Sequence, residues 1–264
     1  MRLFGCGLVA LALAVGLPPG RIFAWTTPTR IRMADDAVRI SSPAFARLLY
    51  RHLDEYHRGV AEEADSQIEA GRDLSTGPHG RRREAAEQLS KLVSQTIEGL
   101  SNHEPMREIC YRAGRICRLV ADLNHPIHTG STPGEAELRS AVYYDDFARY
   151  AEGVAARAPL VFYGWRDDLR TVKDVAPFAL EIASRSERDA EGLYRAYHSR
   201  GAKVTSSDFD DRSIPFAVAS LSYSRTVSDT ANLWLLVWSR VGGDLRGTPY
   251  LGGASSRRPG RARG

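Results

Sequence analysis

Residues 121–130 read ADLNHPIHTG and place one aspartate and two histidines close to a helix end. The apolar stripe before this stretch predicts a helix that stops at Pro126, because proline restricts the backbone of the residue before it. Asp122 then lies in the last helical turn and His128 just beyond the proline, so both side chains can face one pocket. A carboxylate and an imidazole suit zinc, which usually takes three or four ligands. The alternative is that Asp122 pairs locally and both histidines lie on a surface turn.

Outside this stretch the chain is predicted to be helical almost throughout. Ser42-Pro43 is an N-cap followed by a proline at the first helical position, and Thr132-Pro133-Gly134-Glu135 has the pattern of a capping box. Pro177 predicts a kink or a break, and residues 159–165, PLVFYGW, form the one strand-like run. Helical spacing of apolar residues recurs over 44–71, 81–102, 106–124, 133–156, 167–198 and 214–241. We therefore predict one all-α, multi-helix domain spanning residues 25–250.

The first 24 residues have the composition of a secretory signal peptide. A single Arg2 precedes an apolar run from Leu3 to Leu17, a Pro/Gly break follows, and the segment closes on Ala24. The apolar run is short for a membrane-spanning helix, although an uncleaved anchor is the alternative. The pattern predicts a secreted or periplasmic protein without a transmembrane anchor, whose mature chain begins at Trp25.

Charge and cysteine content narrow the class of protein further. The 264 residues are 43% hydrophobic and 26% charged, which is typical of a folded domain. The net charge of +4 comes from the chain ends, because residues 1–24 carry two arginines and residues 255–264 carry four, with no acid in either. The Arg/Gly-rich tail at 251–264 is predicted to be disordered, and its charge is no argument for a nucleic-acid-binding domain.

Cys110 and Cys117 are about 10 Å apart along a helix, beyond disulfide reach, and are predicted to be buried free thiols.

The stretch ICYRAGRICRLVADLNHPIHTG, residues 109–130, resembles the signature segment of the zinc-dependent phospholipase C and P1-type nuclease superfamily. Asp122, Pro126, Ile127 and His128 match the family pattern, and the C-terminal run SDTANLWLLVWSRVGGD looks like its closing helix. The resemblance implies an all-α fold and hydrolysis of phosphodiesters by a metal-activated water. It also implies that a free N-terminal Trp25 binds a zinc ion through its amine and carbonyl.

Three positions depart from the family pattern. The resemblance implies histidines where this chain has Arg30, Arg118 and Val142, and arginine has no lone pair for a metal. Asp146 supplies a carboxylate that the pattern calls for. Upstream ligands are matched loosely by Glu63 or Asp65 and by His79. The ligand set that the resemblance implies is therefore Trp25, Asp122, His128 and Asp146, which predicts fewer zinc ions than the family's three, or none.

Two functional hypotheses follow from this set. The first is a divergent metal-dependent phosphodiester hydrolase, with Asp122 at its catalytic centre and Arg30 or Arg118 holding the phosphate. The second is a catalytically silent module that binds a phosphate-bearing ligand or a partner, because a guanidinium can replace metal charge and form a fork to phosphate. An alternative for Arg118 is that it only pairs with Asp122 at i, i+4 and closes the site. The expected ligand is a phosphodiester, and the chain is expected to be a monomer.

Overall fold

The computed structural model describes residues 25–62, 73–76 and 80–251. The predicted signal peptide, the tail from residue 252 onward, and the candidate ligands Glu63, Asp65 and His79 lie outside these residues. Within them the chain forms ten α-helices and no strand, which confirms the predicted all-α class, and the strand-like run 159–165 is extended without forming a strand. The helices are α1 (Thr27–Ile40), α2 (Pro43–Arg51), α3 (Leu53–Ala61), α4 (Arg82–Ser101), α5 (Met106–Leu123), α6 (Pro126–Thr129), α7 (Pro133–Glu137), α8 (Ala141–Arg157), α9 (Ala176–Tyr197) and α10 (Ile214–Arg240).

Several helix boundaries differ from the sequence prediction. Helix α1 precedes the first predicted helix, and it begins where the Thr26 hydroxyl accepts a hydrogen bond from the Thr29 amide at 3.3 Å. The predicted helix over 133–156 is split into α7 and α8, although its capping box at Thr132 is present. Pro177 lies in the first turn of α9 and starts that helix, because a first-turn proline forfeits no intrahelical hydrogen bond.

Helix α10 forms the centre of the fold. It is 27 residues long and buried on most of its faces. Its Trp234 is 1% exposed, and the indole Nε1 donates to the Ala113 carbonyl oxygen of α5 at 3.1 Å. Because most of its circumference is buried, α10 packs against several helices at once, namely α1, α5, α8 and α9. No helix in the described ranges is long and apolar enough to cross a bilayer.

Two glycines let α3 and α5 approach each other closely. A Cβ at Gly114 would lie 2.2 Å from the Tyr56 carbonyl oxygen, and one at Gly59 would lie 2.1 Å from the Tyr111 carbonyl oxygen. Because any other residue would force the helices apart, these glycines set the distance between α3 and α5. Helix α5 carries the predicted site, so this contact holds one wall of it.

The two cysteines of α5 bear out their prediction. Cys110 and Cys117 are both buried free thiols. Their burial follows from the apolar stripe of α5, which faces the rest of the helical domain.

A buried polar network anchors the end of α5 to α9 and α10. The Asn124 side-chain amide donates to the Asp229 carboxylate at 3.0 Å, and Arg185 donates to the same carboxylate at 2.8 Å. Asn124 is the C-cap of α5 and follows Asp122 by two positions. The network therefore holds the turn between Asp122 and His128 in place.

Candidate functional site

Trp25 lies directly against the ADLNHPIHTG stretch. Its indole Nε1 donates to the Ala121 carbonyl oxygen at 3.0 Å. The indole meets the His125 ring edge-on at 5.0 Å between centroids, and the His125 ring is 4.9 Å from that of His128. All three rings are buried. Trp25, His125 and His128 thus form one aromatic cluster. Trp25 contacts this cluster through its indole ring.

Arg30 and Arg118 converge on Asp122. Arg118 Nε lies 3.8 Å from Asp122 Oδ2, one turn along α5, and a second Arg118 nitrogen, Nη1, donates to the Glu62 carbonyl oxygen at the end of α3. Arg30 comes from α1, is 1% exposed, and donates from Nη2 to the Thr27 hydroxyl at 3.2 Å. The Arg118 contacts join α5 to the end of α3, and the charges of Asp122 and Arg118 act electrostatically on Arg30 from α1.

The electrostatics of this cluster follow from its burial. Burial lowers the pKa of the Arg30 guanidinium, and the neighbouring Arg118 lowers it further, whereas the Asp122 carboxylate raises it. Burial also raises the pKa of the adjacent Cys117 thiol to about 12. Because the thiolate is the reactive form, Cys117 is no nucleophile at neutral pH. Arg30 remains a cation, since arginine holds its proton throughout the accessible pH range.

His128 pairs with a residue that the sequence analysis missed. Its Nε2 lies 2.5 Å from the Tyr144 hydroxyl oxygen, and the two rings are nearly parallel at 15°. Tyr144 is 1% exposed and comes from α8. It also faces Arg30, whose pKa it raises. Nothing in the local sequence marks Tyr144, because its partner lies on a different helix.

Asp146 is not brought to this cluster. Its Oδ2 accepts hydrogen bonds from the Tyr197 hydroxyl at 3.0 Å and the Ser206 amide at 2.8 Å, and its Oδ1 accepts one from the Ser206 hydroxyl at 2.8 Å. Asp146 follows Tyr144 by two positions, which places it on the opposite side of α8. Val142, at the position where the family pattern has histidine, belongs to the same helix. The structure therefore separates Asp146 from Asp122 and His128, because helical geometry turns it toward α9.

The donor set within the described residues does not fit a zinc cluster. Among residues 25–62, 73–76 and 80–251, no group of three or more His, Cys, Asp or Glu side chains is placed to share an ion. The Asp122 carboxylate lies 3.8 Å from Arg118 Nε and acts on the charge of Arg30, and neither guanidinium offers a lone pair to a metal. Zinc sites take at least three protein ligands. Glu63 and His79 lie outside the described residues and stay predictions as ligands.

The fold has a relative among solved structures. The chain is similar to the alpha-toxin of Clostridium perfringens from the avian strain SWCP, with a TM-score of 0.55 and 13% sequence identity over 82% of this chain. The match spans 64% of the length of that toxin. No protein-family model and no curated protein sequence matches the chain. The similarity confirms the predicted all-α fold, which this chain shares with that toxin.

Proposed function

We propose that this protein binds a phosphate-ester ligand through Arg30 and Arg118, on a phospholipase C-like fold that uses guanidinium groups where its relatives use metal ions. The proposal is supported by the contact of Arg118 with Asp122, by the electrostatic coupling of both to the buried Arg30, and by the lack of a three-ligand metal group in the described part of the chain. The fold resembles that of phosphodiester hydrolases. We propose that this chain binds such a phosphate ester and does not hydrolyse it.

One observation carries the proposal. Arg118 is 7% exposed, yet its Nε–H has no hydrogen-bond partner in the described structure, and the nearest carboxylate oxygen is 3.8 Å away. Buried donors are nearly always satisfied, so an orphaned one points to a ligand. An arginine Nε–H and an adjacent Nη form a planar fork that matches two oxygens of a phosphate.

The surrounding residues define how such a ligand would sit. The Asp122 side chain is 17% exposed and that of Arg118 is 8%, so the ligand would reach Arg118 from the Asp122 side. Arg30 would attract the anion electrostatically, because its positive charge is buried in surroundings of low dielectric constant. Asp122 would repel an anion and thereby limit its affinity. The buried His128–Tyr144 pair would form one rigid side of the ligand site.

Calorimetric titration with inorganic phosphate, phosphocholine and a dinucleotide tests this function. We expect binding of at least one probe, weakened about tenfold or more by Arg118→Gln, because a charge-assisted hydrogen bond contributes about 1.5–3 kcal/mol. Arg107→Gln is the matched control, since Arg107 lies on the same helix with its side chain 65% exposed. Equal affinity in both variants, or no binding of any probe by the wild-type protein, would contradict the proposal.

The second candidate is metal-dependent phosphodiester hydrolysis at a reduced site. It is supported by the shared fold and by the sequence match at Asp122 and His128, and it requires Glu63 or His79 to complete the ligand set. Elemental analysis of protein whose chain begins at Trp25, with a phosphodiesterase assay in added zinc, distinguishes the two. About one zinc ion per chain together with hydrolysis would favour this candidate. Phosphate binding without zinc would favour the first.

A further inference from the structure

A cavity lies between α4, the C-terminal end of α10 and residues 172–175, which lead into α9. Its volume is about 220 Å³. Pockets for drug-sized ligands measure roughly 300–1,000 Å³, so only a small molecule would fit here. Arg30, Arg118 and Asp122 do not line this cavity. The cavity is therefore a second place where the fold could hold a ligand.

The inner part of the cavity is apolar. Val93 of α4, Val175 and Leu236 of α10 line it, and their side chains are 2–3% exposed. Ile97 and Val172 also line it and are only partly buried, so they lie nearer to its opening. The apolar part of a ligand would be removed from water here, and its affinity would increase with each methylene group that it buries.

Two cationic side chains lie at the opening of the cavity. Arg240, the last residue of α10, donates from Nη2 to the Val172 carbonyl oxygen at 2.6 Å, and this bond holds its guanidinium beside the cavity. Lys173 follows Val172 and is exposed. Neither cation forms an ion pair with a carboxylate among the residues that the structure describes. Both charges are therefore available to an anionic ligand.

Glu98 supplies the one carboxylate that lines the cavity, and it is exposed on α4. The carboxylate of Asp174, next to Lys173, has other partners. It accepts hydrogen bonds from the Ser90 hydroxyl at 2.6 Å and from the Ala176 amide at 2.9 Å. The charged side chains that line the cavity are thus two cations and one anion, which favours a ligand with a single negative charge.

Hydrogen bonds fix the walls of the cavity to one another. The Ser90 hydroxyl of α4 accepts from the Val175 amide at 3.2 Å, while Arg240 of α10 binds the Val172 carbonyl oxygen. Residues 172–175 are thereby tied at both ends, to two different helices. A cavity that is already formed loses little conformational entropy when a ligand enters it.

We propose that this cavity binds a small amphipathic monocarboxylate. The aliphatic body of the ligand occupies the part that Val93, Val175 and Leu236 line. Its carboxylate lies at the opening, near Lys173 and Arg240. Arg240 has N–H donors beyond the one that Val172 accepts, and an arginine can present two of them to one carboxylate. Lys173 adds a compact charge on a flexible stem.

This cavity is separate from the Arg30–Arg118 cluster. Helix α10 meets the end of α5 at Asp229, which accepts a hydrogen bond from Asn124. Arg240 follows Asp229 by eleven residues, or about 16 Å along the helix axis. The proposal therefore does not rest on phosphate binding at the cluster, and substitutions at the opening of the cavity leave the cluster intact.

A two-dimensional NMR titration of the full chain with hexanoate, 1-hexanol and hexylammonium tests the proposal. We expect hexanoate to shift the amide signals of residues 90–98, 172–175 and 236–240. It should bind at least about threefold more tightly than 1-hexanol, and hexylammonium should bind most weakly. Butanoate should bind roughly tenfold more weakly than hexanoate, because each buried methylene strengthens binding about fourfold.

Two sets of variants separate the charges from the shape of the cavity. Lys173→Gln combined with Arg240→Gln should weaken the binding of hexanoate about three- to tenfold and leave that of 1-hexanol unchanged. Lys91→Gln combined with Arg195→Gln is the matched control, since both side chains are exposed and neither lines the cavity. Ser94→Phe should abolish the binding of both probes, because Ser94 lines the cavity and the phenyl ring would fill it.

Four outcomes would overturn the proposal. Equal affinities for hexanoate and 1-hexanol would mean that the cations do not recognise the carboxylate. Tightest binding of hexylammonium would make Glu98 the deciding charge. Equal weakening by the control pair would indicate a general effect of net charge. The absence of shifts around the cavity with every probe would mean that it holds no ligand of this class.

Discussion

His128 and Tyr144 share a hydrogen bond of 2.5 Å across two helices that the sequence does not link. Their rings stack at 15°, and both side chains are almost fully buried. The resemblance implies that the His128 imidazole binds a metal, but in the structure its Nε2 is hydrogen-bonded to Tyr144. His128 is therefore part of the packing between α6 and α8, and the stability of the fold should depend on it.

Tyr144→Phe should lower the free energy of unfolding by about 1–3 kcal/mol, because it removes a buried hydroxyl that His128 Nε2 uses as a partner. Urea denaturation measures this change. Tyr143→Phe is the control at the neighbouring position, since its hydroxyl contacts His198 at 3.2 Å in a less buried setting. Equal effects of the two substitutions would mean that the His128–Tyr144 bond contributes nothing specific.

Asp122→Asn should strengthen the binding of phosphate by about tenfold, or ~1.4 kcal/mol, because it removes the carboxylate that opposes an anion beside Arg118. Titration calorimetry at constant ionic strength measures the affinity. Asp146→Asn should leave it unchanged, since Asp146 accepts its hydrogen bonds from Tyr197 and Ser206. A loss of affinity in Asp122→Asn, accompanied by a loss of bound zinc, would instead identify Asp122 as a metal ligand.

Asp229 should make the stability of the protein depend on pH. Burial raises the pKa of its carboxyl above the ordinary value of 3.8 by more than Arg185 and Asn124 lower it. The folded state then holds a proton that the unfolded state has released, so the contribution of this group is full below the unfolded pKa and is lost as pH rises through the folded pKa. Asp229→Asn should therefore gain stability relative to the wild type as the pH rises above 3.8, the ordinary pKa of the carboxyl. Thermal melting over a series of pH values measures the difference, and a constant difference would contradict the raised pKa.

Gly114→Ala should destabilise the protein by about 2–4 kcal/mol, because the new Cβ would lie 2.2 Å from the Tyr56 carbonyl oxygen and push α3 away from α5. Gly153→Ala on α8 is the matched control. Its nearest heavy atom would be 3.5 Å away, at the end of the Arg157 side chain, so alanine should stabilise the helix by roughly 0.5–1 kcal/mol. Opposite signs in chemical denaturation would confirm that the close approach, and not helix propensity, decides the effect at Gly114.

The sequence is a good guide wherever a pattern is local. The apolar spacing around Leu89 and Val120, the capping box at Thr132 and the stop at Pro126 predict helices that the structure contains. The contact of Arg118 with Asp122 follows from their spacing of four on one helix. Helix α1 is absent from the sequence prediction, although Thr26 and Pro28 provide the start signals for it.

The prediction for Asp146 shows that a sequence pattern does not determine which way a helical side chain faces. The resemblance implies a carboxylate ligand at this position, and the chain has one, but the side chain faces Tyr197 and Ser206. Whether a helical residue points into a site depends on the rotation of its helix against its neighbours, which is set by the packing of the whole apolar surface.

From the amino-acid order one can already conclude that the chain is all-helical, that Arg118 lies one turn from Asp122, and that Cys110 and Cys117 are buried thiols, because each conclusion depends on residues a few positions apart. The tertiary structure was needed to show that His128 pairs with Tyr144, that Asp146 faces away, and that the run PLVFYGW lies exposed along α10. These relations join residues from separate helices, and their distances are fixed by how the helices pack around α10, which no local spacing encodes.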